Sequence, residues 1–152
     1  MGKTTDIHTF QPLGRMLSRL GKSYLQLLNS RLNFLDIQRN YYALLLIELG
    51  ESNITQNELA QQLETDKVSI VRIIDHLSAK GYVNRIRSSK DRRKYCLTLT
   101  DKAKKALPGI KKSLNEITAI AFEGMSETRK SAFYLTLNTI KNNLQKAKIT
   151  GI

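Results

Sequence analysis

The sequence is poor in cysteine and in long apolar runs, and each scarcity excludes a class of protein. One cysteine among 152 residues cannot form an internal disulfide, which fits a reducing compartment. No apolar run approaches the ~20 residues of a membrane-spanning helix. The first residues lack the apolar core of a signal peptide. We therefore expect a cytoplasmic protein with no membrane partner.

The motifs of most catalytic and metal sites are missing too. The sequence contains no Gly-rich phosphate loop, no nucleophile elbow and no Cys–His pair, and no carboxylate cluster lies in the segment that carries its other motifs. Its two histidines, His8 and His76, do not have the spacing of metal ligands. The sequence therefore predicts a protein that is not an enzyme and that uses no metal and no cofactor.

Acidic residues are few beside basic ones. The chain has 13 Asp and Glu against 25 Lys and Arg, a formal net charge of +12. Residues 82–112 hold eleven of the basic residues, with Asp91 and Asp101 as their only acidic neighbours. This concentration favours binding to a polyanion such as nucleic acid. The alternative is a solvated face that keeps the protein in solution.

Residues 55–100 show the pattern of two short helices and a hairpin. Thr55 and Glu58 have the spacing of a capping box, which opens the first helix. A polar turn at 64–66 supplies the N-cap of the second helix, and Gly81 ends it. The predicted strands lie at 82–87 and 92–99, and the turn between them lies at 88–91. Two steeply crossed helices before a basic hairpin form a winged helix-turn-helix, a structure that reads DNA.

The order of these motifs resembles the MarR family of bacterial transcription regulators. The matching stretches are Thr55-Gln-Asn-Glu-Leu-Ala60, Asp66-Lys67, Arg72-Ile-Ile-Asp75, Leu77, Lys80-Gly-Tyr-Val83, Asp91-Arg-Arg93 and Leu97-Thr-Leu-Thr100. None is specific alone, but the ordered series is, and the flanking helices fit the family's length and order. The resemblance implies a homodimer that binds double-stranded DNA.

The fold that we predict is mainly α, an α+β winged helix-turn-helix with about six helices, a β-hairpin wing and dimerisation helices from both termini. The DNA-binding region covers 36–100, the helical dimerisation region covers 12–35 and 101–148, and the flexible ends are 1–11 and 149–152. Asp36 is predicted to cap a buried second helix, and Pro108 to kink a later one.

Apolar residues at three-four spacing support the dimer. Such stripes lie in the first, fifth and sixth helices, at Leu13, Leu17, Leu20, Tyr24 and Leu27, at Leu107, Ile110, Leu114, Ile117 and Ala121, and at Phe133, Leu137, Ile140 and Leu144. A winged domain of this size can bury its core without these helices, so a second copy is the simplest partner. The alternative is that they fold back on their own chain.

The second helix of the pair is predicted to read the major groove. At ~100° per residue, its core face collects Ile70, Ile73, Ile74 and Leu77. The DNA contacts predicted on and before this helix are Thr65, Lys67, Val68, Ser69, Arg72 and His76. Arg72 can bond guanine, and Val68 can contact a thymine methyl. The alternative for Arg72 is an ion pair with Asp75 or Asp36.

The wing is predicted to be a second DNA contact. Its candidate residues are Arg87, Ser88, Lys90, Asp91, Arg92, Arg93 and Lys94. The resemblance implies that Arg93 enters the minor groove and that Asp91 orients it, and a narrow A·T-rich groove attracts a guanidinium group. The neighbouring basic residues would contact phosphates. The alternative for Asp91 is ordinary turn chemistry.

The resemblance also implies an effector, a small aromatic or phenolic acid. The candidate pocket residues are Arg15, Arg19, Tyr24, Phe34, Tyr41 and Tyr42, chosen by location, and the alternative is that these aromatics are plain core. Redox sensing through Cys96 is disfavoured because the redox-sensing relatives carry their cysteine near the first helix.

The function that we predict is a ligand-responsive repressor acting on a near-palindromic operator, with half-sites about 10 bp apart. One alternative is a nonspecific or architectural DNA-binding protein. Another is an interaction protein with a degenerate winged domain, although the presence of Arg72, Asp91 and Arg93 argues against it.

Overall fold

The computed structural model describes residues 12–89 and 91–151, which form six α-helices and one small sheet. The helices are α1 Leu13–Arg31, α2 Tyr41–Leu49, α3 Gln56–Gln62, α4 Lys67–Ala79, α5 Asp101–Ala121 and α6 Glu127–Thr150, with a 3-10 turn at Gln38–Asn40. The strands are β1 Ile54–Thr55, β2 Val83–Arg87 and β3 Tyr95–Leu99. This confirms the predicted fold class. Outside the described residues lie the N-terminal end predicted at 1–11, which includes His8, the wing residue Lys90 and the last residue, Ile152.

The chain divides into two units, one that ends at Ile117 and one that begins at Thr118. In the first unit α2 is apolar on several sides, and Ala43, Leu44 and Ile47 are fully buried in the core. No helix among the described residues is long and apolar enough to cross a membrane.

The prediction that Asp36 caps the second helix is wrong. A 3-10 turn precedes α2, and the residue before α2 is Asn40, with no side-chain cap bond. The carboxylate of Asp36 is instead bonded to the Tyr82 hydroxyl and paired with Lys80 and Lys102, at 3.8 Å and 3.5 Å. Partners distant in sequence thus replace the local one.

The apolar stripes of α1 and α5 behave differently. On α1, Leu13, Leu20 and Leu27 stay more than half exposed, whereas the neighbouring Leu28 is fully buried. On α5, Leu107, Ile110 and Ile117 are buried in the core of the first unit. The expectation that α5 needs a second chain to cover its stripe is therefore wrong for these residues, because its own chain covers them.

The apolar stripe of α6 is not buried. This helix has no buried residue, and Leu144 is 60% exposed. The helix continues to Thr150 and ends where Gly151 adopts a φ of 71°. The helical region predicted from the sequence ends at residue 148, two residues before this helix does.

The sheet has the order β1–β3–β2, and both pairs are antiparallel. β1, which the sequence analysis did not predict, pairs Ile54 with Leu97. The returning strand starts at Tyr95 rather than at residue 92, because Asp91 holds the preceding residues in a turn. The hairpin is therefore shorter, and its connecting loop longer, than predicted.

Candidate nucleic-acid interface

Asp66 begins α4 as predicted. Its Oδ1 accepts the N–H groups of Val68 and Ser69 at 2.9 and 2.8 Å, and its Oδ2 accepts the Ser69 hydroxyl at 2.7 Å. The bonds from Ser69, followed by that from Val68, lower the pKa of Asp66. The Ser69 hydroxyl hydrogen is therefore committed to the cap, which leaves the oxygen of that hydroxyl as the group that can face DNA.

The two faces of α4 are the predicted ones except at His76. Ile70, Ile74 and Leu77 are buried, whereas Val68 is 62% exposed and Arg72 is also exposed. A helix that lies in the major groove of DNA needs an apolar face towards the protein core and polar or basic side chains on the opposite face.

The alternative partners of Arg72 are both occupied. Asp75 pairs with Arg85, and Asp36 pairs with two lysines. Arg72 belongs to none of the ion pairs found within 4.0 Å among residues 12–89 and 91–151. Its guanidinium is therefore available to a base or a phosphate.

His76 is oriented differently from the prediction. Its Nε2 is buried and has no hydrogen-bond partner among the described residues. Because this nitrogen is turned into the protein, it is not presented to DNA in this structure. Thr65 is half-buried and Lys67 is exposed at the start of the helix, where both could contact a phosphate.

The tip of the wing is a hydrogen-bonded turn built around Asp91. Its Oδ1 accepts the backbone N–H of Arg93 at 3.0 Å, and its carbonyl oxygen accepts the N–H of Lys94 at 2.9 Å. Asp91 N–H in turn donates to Ser88 Oγ at 3.3 Å. These contacts are the turn chemistry considered for Asp91, and through them it fixes the backbone of Arg93.

Ser88 differs from the other wing candidates because it is 9% exposed. Its backbone N–H donates to the Lys94 carbonyl at 2.9 Å, and its hydroxyl receives the Asp91 N–H. Its position closes the loop and does not present a group to DNA. Arg87, Arg92 and Lys94 are exposed, and the Arg87 guanidinium lies 5.6 Å from the centre of the Tyr95 ring.

Arg85 is a functional candidate that the sequence analysis missed. Its Nη2 donates to Asp75 Oδ1 of α4 at 2.7 Å and to Gln56 Oε1 of α3 at 3.4 Å. It therefore joins the wing to both helices of the pair. No pattern in the sequence marks Arg85, because its partners lie ten and 29 residues away.

A cleft of about 480 Å³ lies between the wing and the start of α3. Its walls include Gln56, Glu58, Arg85, Arg93 and Lys94. The Thr55 backbone N–H and hydroxyl lower the pKa of Glu58, and the charge of Lys94 adds to this. Arg93 therefore lines the same cleft as Arg85, which pairs with Asp75 of α4.

The six predicted effector residues lie on α1, on α2 and in the segment between these helices. Arg15 and Arg19 are exposed on α1, and Phe34 lies over Gly109 of α5. Burial raises the pKa of Tyr41, and the hydroxyls of Tyr24 and Tyr42 add to this rise. Of the six, Tyr42 alone lines a cleft of about 240 Å³ that also includes Arg39, Leu63 and Ile73.

Cys96 is buried on β3, with 3% of its surface exposed. Its Sγ lies 3.5 Å from the Asn53 Oδ1. The loop residue Asn53 therefore covers the thiol, which does not face solvent.

Comparison with known proteins agrees with this geometry. The family model described as "MarR family" matches residues 35–94, which include α2, the helix pair and the wing to its tip. An uncharacterized HTH-type transcriptional regulator, YybA of Bacillus subtilis (strain 168), is 21% identical over 132 residues, covering 87% of this chain and 88% of that protein.

Two solved structures have a similar fold. A MarR transcriptional regulator from Methanosarcina mazei Go1 is 29% identical, with a TM-score of 0.75 over 88% of this chain and 96% of that one. A mutant MarR from E. coli complexed with operator DNA is 22% identical, with a TM-score of 0.77 over 90% of this chain and 99% of that one.

Proposed function

We propose that this chain, which belongs to the MarR family of transcriptional regulators, is a cytoplasmic repressor that binds a near-palindromic operator as a homodimer. One observation carries the proposal. The exposed Arg72 projects from a capped helix, its alternative acidic partners are occupied, and Arg85 ties that helix to the wing that bears Arg93. A helix for the major groove and an arginine for the minor groove are thus joined through one ion pair.

The operator complex of the E. coli relative supports DNA as the partner. At 22% identity that likeness concerns the fold, so the binding residues are argued from this chain alone. Arg72 would read a base, Arg93 would enter the minor groove, and Arg92 and Lys94 would bind phosphates.

The homodimer is supported by the uncovered leucines of α1. Leu13, Leu20 and Leu27 expose 56%, 58% and 51% of their surface. A row of large apolar side chains on one helix face favours a partner that removes it from water. Two-fold symmetry would place the reading helices on half-sites about 10 bp apart. Sedimentation showing a monomer at micromolar concentration would refute the dimer.

A small phenolic or aromatic acid is proposed as the effector. Tyr42 and Arg39 line the same cleft, so an aromatic ring and a carboxylate could be bound together there. The Tyr42→Ala variant tests this, because it should abolish any release of DNA by benzoate-type acids. Equal release from this variant and the wild type would place the effector elsewhere.

The function is tested by selecting bound duplexes from a random DNA library at about 150 mM salt. Enrichment of a near-palindrome supports a dimeric regulator. No enrichment, with binding that falls steeply as salt rises, would instead support a nonspecific or architectural DNA-binding protein, because phosphate contacts alone depend strongly on salt.

A further inference from the structure

The C-terminal end of α4 belongs to a hydrogen-bonded network whose residues are not among the proposed DNA contacts. Lys80 is the C-cap, and Gly81 follows it with a φ of 75°. The Gly81 N–H donates to the Ser78 carbonyl and the Tyr82 N–H to the Leu77 carbonyl, each at 2.9 Å. This is a Schellman ending, so the backbone of Tyr82 is bonded to the last turn of the helix.

The side chain of Tyr82 extends this connection to another part of the chain. Tyr82 is 3% exposed, and its hydroxyl bonds Asp36 in the segment between α1 and α2. Burial first and this bond second raise the pKa of Tyr82 to about 12, and the same bond is the largest cause that lowers the pKa of Asp36. A neutral phenol therefore donates to a carboxylate throughout the physiological pH range, which gives a charge-assisted bond.

Lys102 adds a third attachment, from the first turn of α5. Its Nζ donates to the Lys80 carbonyl at 2.8 Å, lies 3.5 Å from Asp36 Oδ2 and lies 4.3 Å from the centre of the Tyr82 ring. An ammonium group at this place neutralises the partial negative charge at the end of α4, and it interacts with the ring. One side chain therefore contacts the helix end, the carboxylate and the ring together.

We propose that Asp36, Tyr82 and Lys102, called here the C-terminal clamp, are positioning residues for sequence-specific DNA binding. The clamp joins α4 to α5 and to the segment that follows α1. It therefore sets the angle at which α4 presents Arg72 relative to α1, the helix proposed to dimerise. The inference rests on the proposed function, because it assumes that α4 reads a base sequence.

A change in the angle of α4 should affect two kinds of contact differently. A base contact needs defined geometry, whereas phosphate contacts through long basic side chains tolerate a small tilt. Loss of the clamp should therefore weaken binding to the preferred sequence more than binding to an unrelated duplex. A residue that only stabilises the fold would change both to the same extent.

The Tyr82→Phe variant tests this because it keeps the ring and removes the hydroxyl. Asp36→Asn is the second variant, at a side chain that is half exposed, so it does not disturb the core. Tyr134→Phe is the matched control, since it removes a hydroxyl from a ring that is 51% exposed on α6. Kd is measured for the duplex recovered by the selection and for an unrelated duplex of the same length.

We expect Tyr82→Phe and Asp36→Asn each to raise the Kd of the recovered duplex by about 5- to 50-fold, with a change under about twofold on the unrelated duplex and in the control. The double variant should be no weaker than the single ones, because both remove the same bond. Amide hydrogen exchange of Gly81 and Tyr82 in the free protein should also become faster in Tyr82→Phe.

The outcomes separate the two proposals. A wild-type protein with no preferred sequence overturns the proposed function, and the clamp with it. If the wild-type protein has a preferred sequence, two results for Tyr82→Phe overturn the clamp alone. One is an unchanged Kd for the recovered duplex, and the other is an equal loss of affinity for both duplexes. Unchanged exchange at Gly81 and Tyr82 would also overturn it, and this measurement needs no DNA.

Discussion

Arg85 of the wing and Asp75 of α4 form an ion pair, with 2.7 Å between Nη2 and Oδ1. The two residues come from β2 and α4, which are separated by the Gly81 turn. The pair therefore holds together the two elements that are proposed to enter different grooves of DNA.

The Arg85→Met variant should bind the recovered duplex less tightly while keeping most of its stability. The side chains of Arg85 and Asp75 are 36% and 58% exposed, and exposed pairs contribute only about 0.2–1 kcal/mol to the free energy of unfolding. Thermal unfolding and Kd are measured together. Arg31→Met is the matched control, because Arg31 pairs with Glu116 at 2.9 Å with similar exposure, away from α4 and the wing. Equal effects of the two variants on Kd would contradict the role given to Arg85.

The Arg72→Ala variant should relax the sequence preference at one base pair of each half-site. If Arg72 donates two bonds to a guanine, its loss should cost about 1–3 kcal/mol of discrimination at that position. The random-library selection is repeated with the variant, and the two motifs are compared position by position. An unchanged motif with uniformly weaker binding would mean that Arg72 contacts a phosphate.

The Arg93→Ala and Arg92→Ala variants should lose affinity differently when the sequence that flanks the operator is changed. If Arg93 enters a narrow minor groove, its loss should weaken binding most when the flanking sequence is A·T-rich. Arg92→Ala should reduce the slope of log K against log salt by about one, on all duplexes alike. Affinities on A·T-rich and G·C-rich flanks provide the test, and identical behaviour of the variants would remove the special role of Arg93.

The cap of α4 should make stability depend on pH in acid. The pKa of Asp66 is lowered in the folded protein by its bonds to Ser69 and Val68, so the unfolded state binds more protons. The stabilisation is therefore complete above the unfolded pKa of about 3.9 and is lost as the pH falls through the folded value. Urea unfolding of wild type and Asp66→Asn should give curves that differ at neutral pH and converge in acid. A difference that persists below the folded pKa would contradict this.

The thiol of Cys96 should react slowly in the folded protein. It is 3% exposed and its Sγ lies 3.5 Å from Asn53 Oδ1, so a reagent must wait for local opening. Labelling with a chromogenic disulfide should be rapid in denaturant and slow without it. Rapid labelling of the native state would instead make Cys96 a candidate redox sensor.

The site was only partly predictable from sequence, and the reason lies in the separation of the contacting residues. The exposure of Arg72 and Val68 was predictable because helical periodicity alone separates their face from that of Ile70 and Ile74. Arg85 and the buried Nε2 of His76 were not found, because each depends on what another segment places beside it. The position of Ser88 in a basic loop predicts a DNA contact, yet its hydroxyl accepts a hydrogen bond from the Asp91 N–H within that loop.

Features that depend on residues within about one helical turn of each other follow from the amino-acid sequence alone. The Thr55–Glu58 capping box, the Asp66 cap and the Gly81 ending are such features, and all are present as predicted. The bond between Asp36 and Tyr82, the pairing of β1 with β3 and the burial of the α5 stripe depend instead on how distant segments pack. A local bond needs only the backbone conformation that its own residues favour. A distant bond forms only where the folded chain brings two segments together, so the residues around either partner do not reveal it.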